Sequence, residues 1–240
     1  MCTVTYVPLS ERDFILTSSR DVPFSREKAD FPKKEEDNDV KLWYPKDGKA
    51  GGTWIGTSSK NRLICLLNGG FEYHTSRANY RKSRGLIVKE LLKSDDIKIT
   101  LEEVNLVDIE QFTLVIVDWN DSLKLMEFVW DGSQKHLKEM PQEFHIWSSS
   151  TLYDAEVKKL RKDWFKDWQL KNDLSQKSIL EFHHKAGIGD PHLDVLMNRG
   201  MGGTVSITSI LKKEASIHWH YEDVRNSNVL PLKLQHKSQK

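Results

Sequence analysis

Short β-rich segments, arranged in pairs around turn residues, limit most strongly how this chain can fold. One segment ends at Asn68, Gly69 and Gly70, which are residue types that favour turns and positive φ. The longest apolar run, residues 112–117, has the length of a strand, whereas a membrane span needs roughly 18 apolar residues. The pattern therefore predicts an α+β domain in which hairpins build layered antiparallel sheets and the helices are grouped between them.

The predicted elements follow from β-branched runs, helical spacing and capping residues. The predicted strands cover residues 3–7, 14–17, 53–57, 62–67, 112–118, 123–130, 144–147, 204–211 and 216–221. The predicted helices cover residues 83–92 and 175–186, together with a helix capped by Asp154 that carries one stripe of Val157, Leu160, Trp164 and Trp168. We interpret residues 23–52 as a solvated loop and residues 232–240 as a frayed end. The absence of a repeat or a linker predicts a single domain over residues 1–240.

Charge and cysteine content exclude several classes of protein. Thirty-six Lys and Arg stand against thirty-five Asp and Glu, which argues against a dedicated nucleic-acid binder. Two cysteines, Cys2 and Cys65, exclude a disulfide framework and favour a reducing compartment. The first ten residues lack the pattern of a secretory signal, so the expected location is the cytoplasm.

Cys2 is the first candidate for chemistry. Removal of Met1 would place a thiol and a free α-amine on one residue. The α-amine has a reference pKa of about 7.7–8.0, so it can take the proton of the thiol, and a thiol needs little activation as a nucleophile. The alternative interpretation is that Cys2 is a small residue that opens an edge strand.

Arg20 and Asp21 follow the second predicted strand, whose hairpin partner is the first. We expect the hairpin to bring this pair beside the start of the chain, where an arginine favours a thiolate and a carboxylate orients an ammonium group. The alternative is a surface ion pair at a strand end, which contributes little to stability.

The chain resembles the NRDE family, also called the transport and Golgi organization protein 2 family. The motifs that carry this resemblance lie at residues 1–2, 17–21, 25–26, 51–56, 66–68, 83–85, 148–152 and 204–208. The N-terminal half of that family is similar to N-terminal-nucleophile hydrolases, including penicillin V acylase and bile-salt hydrolase. The resemblance implies a four-layer αββα fold with two stacked antiparallel sheets.

The resemblance also implies roles for individual residues. Cys2 would be the nucleophile with its α-amine as the base, Arg20 and Asp21 would fix the thiolate and the amine, and Asn68 would donate to an oxyanion. The expected substrate-binding residues are Trp54, Ser149 and Arg199.

The chain departs from the family pattern at four positions. Ser19 and Val22 replace the first Asn and the final Glu of the name motif. Ser149 stands where relatives have Asn, and Val205 stands where they have Arg, so that Arg199 is the candidate substitute.

Other sequence features favour structural roles. The pairs His183-His184 and His218 with His220 lack ligand spacing, so no metal and no cofactor are expected. Residues 200–203 are rich in glycine but lack the Lys-Ser/Thr of a phosphate-binding loop.

Two functions stay open at this stage. The first is a cysteine hydrolase or acyltransferase that acts on linear amides. The second is a non-catalytic protein that binds or carries haem or an acyl lipid, because the resemblance implies haem and lipid homeostasis. The expected partners are thus a small amide or acyl ligand, or haem, with no nucleic acid and no membrane span.

Overall fold

The structure, a computed structural model, describes residues 3–235 of the 240-residue chain. The chain divides into two compact units, one that comprises residues up to Arg26 and from Glu143 onward, and one that comprises Glu27–Gln142. Within the described residues each unit contains one antiparallel sheet and two helices. The single-domain organisation over residues 1–240 stays a prediction.

The strands and helices are numbered in chain order through the described residues. The strands are β1 Thr3–Pro8, β2 Phe14–Pro23, β3 Lys33–Asp37, β4 Val40–Tyr44, β5 Ile55–Ser58, β6 Arg62–Asn68, β7 Phe112–Asp118, β8 Lys124–Trp130, β9 Lys135–Met140, β10 His145–Ser148, β11 Gly202–Lys213, β12 Ser216–Asp223 and β13 Asn228–Gln235. The helices are α1 Arg84–Lys93, α2 Ile97–Glu103, α3 Ala155–Lys171 and α4 Gln176–Lys185.

The first unit is built on a six-stranded sheet with the order β10-β1-β2-β11-β12-β13. The hairpin of β1 and β2 pairs Thr3 with Ser19, and β2 pairs on its other side with β11. Helices α3 and α4 supply aromatic and aliphatic side chains that pack against this hairpin in one core cluster, formed by Val7, Ile15, Phe165, Trp168, Ile179, Phe182 and Val195. Both helices begin where the sequence predicts, since Asp154 and Ser175 accept hydrogen bonds from backbone N–H groups of the first turn.

The second unit is a seven-stranded meander in which β3 to β9 lie side by side in chain order. Two glycine motifs meet in it: a Cβ at Gly52 would lie 2.4 Å from the carbonyl carbon of Gly85, and Thr53 N–H donates to the Gly85 carbonyl. The glycines therefore allow two backbone segments to approach more closely than any side chain would permit. Cys65 is fully buried in β6.

The prediction of a loop over residues 23–52 is wrong in part. Strands β3 and β4 form a hairpin there, joined by Asn38 and Asp39 with φ of 49° and 63°. Two consecutive positive-φ residues of these types are typical of a two-residue hairpin turn, and that signal was hidden within a charged stretch. Helix α2 and strands β9 and β13 were not predicted from the sequence. Strand β13 includes residues 232–235, which were predicted to belong to a frayed end.

The predicted apolar stripe of α3 is wrong by one residue over two turns. Val157 and Trp168 are buried as predicted, but Leu160 is 37% exposed and Arg161 is 0% exposed. A guanidinium group thus occupies a core-facing position, which hydrophobic spacing cannot predict. Among residues 3–235, no helix is long and apolar enough to cross a membrane.

Candidate functional site

Two of the predicted catalytic residues, Arg20 and Asp21, lie in the β1–β2 hairpin. Cys2 lies outside the described residues, next in the chain to Thr3. Strand β2 extends beyond its predicted end to Pro23, so Arg20 and Asp21 lie inside the strand and both are 2% exposed. Consecutive residues of a strand point to opposite faces, so the two side chains do not share one side of the sheet. The expectation that the pair stands at a strand end is therefore corrected.

Asp21 lies in a buried set of neutral hydrogen-bond donors. Tyr153 Oη donates to Asp21 Oδ2 over 2.8 Å, and Thr204 Oγ1 donates to Asp21 Oδ1 over 2.7 Å. Burial, and then the negative charge of Asp21, raises the pKa of Tyr153 well above its ordinary value, so the phenol keeps its proton. Both carboxylate oxygens are thereby held in place.

Arg161 connects this set to the beginning of β1. Its guanidinium stacks over the ring of Tyr153 at 3.8 Å from the ring centroid and donates to Thr3 Oγ1. It also donates to the backbone carbonyls of Leu193 and Asp194. These contacts give a fully buried guanidinium three hydrogen-bond acceptors and an aromatic ring, and a buried charge needs such partners.

His183 holds the same hairpin from α4. Its Nδ1 lies 2.7 Å from Ser19 Oγ and its Nε2 lies 2.9 Å from Thr5 Oγ1. Burial lowers the pKa of His183 from 6.5 to about 3, and the neighbouring His184 and Arg161 act in the same direction. The ring is therefore neutral at working pH. Ser19, at the position of the family's Asn, contacts this ring.

Arg20 lies on the opposite face of β2, opposite Ser206 of the neighbouring strand β11. Tyr221 of β12 lies close enough to Arg20 for the guanidinium charge to affect the pKa of the phenol. Burial raises the pKa of Tyr221, while Ser206 and the positive charge of Arg20 act in the opposite direction. Arg20 thus contributes a buried positive charge to this face.

A β-bulge lies directly beside Arg20 and Asp21. Asp21 pairs with Thr204 and Arg20 pairs with Ser206, so Val205 is the extra residue of β11. Val205 is 3% exposed, and its carbonyl accepts the N–H of Val224. Bulges are common next to active sites, where they redirect side chains. The position for which the family resemblance implies Arg is therefore an apolar, buried residue in this chain.

Ser149 and Arg199, predicted to bind substrate, have partners within the first unit. Ser149 Oγ lies 3.0 Å from Thr151 Oγ1, and the Ser149 carbonyl accepts the N–H of Tyr153. Arg199 donates to the carbonyls of Leu152 and His192 and lies over the ring of Tyr153, 5.4 Å from its centroid. Ser149, Arg199 and Asp21 are thus brought together around Tyr153, and a role in substrate binding stays a prediction.

The remaining predicted residues, Trp54 and Asn68, belong to the second unit. Trp54 is 2% exposed, and its carbonyl accepts the N–H of Leu66. Asn68 is the last residue of β6, pairs with Phe112, and precedes Gly69, which has a φ of 85°. The turn after Asn68 therefore begins where the glycines predict.

Three side chains of the site were not identified as site residues by the sequence analysis: Tyr153, Arg161 and His183. Arg161 was not predicted because the predicted apolar stripe of α3 is displaced by one residue from the buried face. His183 was considered only as a possible metal ligand. Tyr153 carried no sequence signal. In the part of the chain that the structure describes, no group of three or more His, Cys, Asp and Glu is arranged to hold a metal ion.

Solved structures of two hydrolases have the same fold as this chain. The C2A mutant of conjugated bile acid hydrolase from Clostridium perfringens has a TM-score of 0.59 and 12% identity, and the match covers 98% of this chain and 92% of that one. An N-acylethanolamine-hydrolyzing acid amidase ortholog from Caenorhabditis elegans has a TM-score of 0.60 and 11% identity, over 87% of this chain and 92% of that one. These similarities confirm the predicted α+β fold of the N-terminal-nucleophile hydrolase type. Among curated protein sequences, none matches the chain.

The fold of this chain is thus a hydrolase-like scaffold. The family model described as Transport and Golgi organisation 2 matches residues 1–201. The chain belongs to this family, which confirms the resemblance seen in its motifs.

Proposed function

We propose that this chain is an N-terminal-nucleophile cysteine hydrolase or acyltransferase that acts on a linear, non-peptide amide through Cys2. The observation that carries the proposal is the buried carboxylate of Asp21, fixed by two neutral donors in the strand that pairs with β1. The two hydrogen bonds set the orientation of this carboxylate. It is therefore suited to hold the α-ammonium group of a processed N-terminus.

In the proposed mechanism the α-amine takes the thiol proton, and the thiolate of Cys2 attacks the amide carbonyl carbon. Asn68 and a backbone N–H stabilise the oxyanion of the tetrahedral intermediate. The C–N bond then breaks, the leaving amine receives the proton from the α-ammonium group, and a thioester forms. The α-amine activates water, which attacks the thioester, releases the acid and regenerates the thiol.

Arg20 and Asp21 support different groups in this proposal, in keeping with their opposite faces. Arg20 stabilises the thiolate, because a nearby guanidinium favours the charged form of a thiol. Asp21 orients the α-amine. Trp54, Ser149 and Arg199 are the proposed substrate-binding residues. No cofactor or metal enters any step.

The substrate class is supported by the structural relatives. Two of these relatives are hydrolases of conjugated bile acids and of N-acylethanolamines, and one of them was crystallised with its cysteine at position 2 replaced by alanine. We therefore propose a substrate with an acyl group joined to a small amine. A cytoplasmic location stays part of this proposal.

The test begins with the mass of the intact protein, which reports whether Met1 has been removed. The processed protein is then treated with an electrophilic cysteine probe and with a panel of N-acyl amides, alongside the variants C2A and C65A. We expect labelling at Cys2, loss of labelling and hydrolysis in C2A, and retention of both in C65A, since Cys65 is fully buried. Labelling at Cys65 with none at Cys2, or hydrolysis that survives C2A, would exclude the proposal.

A non-catalytic function on the same scaffold is the second candidate. Val205 favours it, because the position at which relatives carry Arg is a buried bulge residue without a polar group. The ligand would then be haem or an acyl lipid such as an acyl-CoA. Saturable binding that is unchanged in C2A, together with the absence of hydrolysis across the panel, would favour this function over the first.

A further inference from the structure

We infer that Tyr153 is a positioning residue that sets the orientation of the Asp21 carboxylate, and that two arginines hold its ring for this purpose. The inference rests on the proposed function, in which Asp21 orients the α-amine of Cys2. We call the three side chains Arg161, Tyr153 and Arg199 the arginine–tyrosine stack. All three belong to the first unit.

The backbone places Tyr153 at a fixed point. Its N–H donates to the Ser149 carbonyl over 3.1 Å, and the next residue, Asp154, caps α3 by accepting from Val157 N–H. A tyrosine at this point has its Cα anchored by a turn on one side and by a helix N-terminus on the other. Small movements of the ring are then limited by whatever packs against its faces.

The ring is held by two guanidinium groups. The Arg161 guanidinium carbon lies 3.8 Å from the ring centroid, and that of Arg199 lies 5.4 Å away. Both distances are within the range of a cation–π interaction. Each guanidinium is in turn held by backbone carbonyls, those of Leu193 and Asp194 for Arg161 and those of Leu152 and His192 for Arg199.

The hydroxyl at the end of this ring has one strong acceptor. It donates to Asp21 Oδ2 over 2.8 Å, while Thr204 Oγ1 donates to the other oxygen over 2.7 Å. Thr204 Oγ1 is itself fixed, because it accepts the N–H of Met197 over 3.0 Å. Two donors from different elements thus determine the plane of the carboxylate, and both are neutral, so they orient the charge without cancelling it.

Arg161 also connects the ring of Tyr153 to the beginning of β1. One of its amino groups donates to Thr3 Oγ1, and Thr3 is covalently joined to Cys2. The side chain that supports the ring of Tyr153 therefore also holds the residue next to the proposed nucleophile. The position of Asp21 relative to Thr3 is then set by one connected group of side chains and not by the strand alone.

The variant Y153F tests this inference because it removes one hydroxyl group and keeps the stacked ring. The matched control is Y44F, since Tyr44 Oη also donates to a carboxylate, that of Glu35, in the second unit. The readout is the rate of Cys2 alkylation by iodoacetamide as a function of pH, resolved from Cys65 by peptide mass. It requires no knowledge of the substrate.

In Y153F we expect slower alkylation of Cys2, by roughly tenfold to a hundredfold, because small errors in position have effects of this size. We also expect the midpoint of the pH profile to rise, since a poorly held α-ammonium stabilises the thiolate less. Thr204→Val should act in the same way and Thr204→Ser should restore the wild-type rate. With an amide substrate in hand, Y153F should lower kcat and leave KM nearly unchanged.

The outcomes distinguish failure of the proposed function from failure of the positioning role of Tyr153. If Cys2 of the wild-type protein, with Met1 removed, is not alkylated faster than Cys65, the proposed function fails. If Cys2 is reactive in the wild type but Y153F and T204V have the profile of Y44F, the function stands and the role of Tyr153 is overturned. Equal slowing in Y44F and Y153F would also overturn it, because the effect would then follow from stability alone.

Discussion

The lowered pKa of His183 predicts that the folded protein loses stability in mild acid. The folded pKa of this histidine is about 3 and its ordinary value is 6.5. When the pKa of a histidine is lower in the folded state, the unfolded state binds the proton at a higher pH than the folded state does. The contribution of His183 is therefore fully present above about pH 6.5 and is lost as the pH falls toward 3. One proton changes the free energy of unfolding by about 1.4 kcal/mol per pH unit, so the loss between pH 7 and pH 5 is about 2 kcal/mol.

The assay is urea unfolding followed by tryptophan fluorescence at pH 7, 6 and 5. The variant H183Q keeps a hydrogen-bonding side chain between Ser19 and Thr5 but cannot titrate, and H192Q at an exposed position serves as the control. We expect the wild type and H192Q to lose about 2 kcal/mol more than H183Q over this range. The carboxylates of the protein titrate equally in all three and cancel in the comparison. Equal losses in all three proteins would refute the assignment of a buried, neutral His183.

Two further predictions concern the second unit. Gly52→Ala would place a Cβ 2.4 Å from the carbonyl carbon of Gly85, and overpacking of this kind costs about 1–3 kcal/mol. Thermal unfolding should therefore move down by several degrees, and an unchanged Tm would contradict the close approach. Asp118→Ala should cost about 3–5 kcal/mol because it leaves the Arg62 guanidinium buried without the carboxylate 2.8 Å away. The double variant R62M/D118L should unfold at a smaller cost than D118A, and the opposite order in urea unfolding would exclude this explanation.

Local patterns in the sequence were sufficient for much of the fold. The hairpin of β5 and β6 is confirmed, as is the pairing of β7 with β8, because alternation and turn residues act over a few positions. The predicted N-cap Asp154 is confirmed for the same reason, since a cap and the N–H groups that it binds lie within one turn. The family motifs predicted the fold as a whole, and local patterns alone do not specify how the sheets and helices are arranged.

Local patterns did not predict the position of a residue whose burial depends on contacts with residues far away in the chain. Arg161 lies on the buried face of α3, against hydrophobic spacing, because carbonyl groups of residues 193 and 194 and the hydroxyl of Thr3 satisfy its charge. The hairpin of β3 and β4 was missed because its charged residues resemble a solvated loop.

The candidate site shows the same division. The sequence by itself determined which residue types are present: a cysteine after Met1, the pair Arg20 and Asp21, and motifs that assign the family. The tertiary structure decided that Arg20 and Asp21 point to opposite faces, and that Asp21 bonds to Tyr153, which is 132 residues away in the chain. The physical reason is that strand alternation depends on where a strand ends, and a buried hydrogen bond depends on which distant segments fold against it. Neither is contained in the spacing of neighbouring residues.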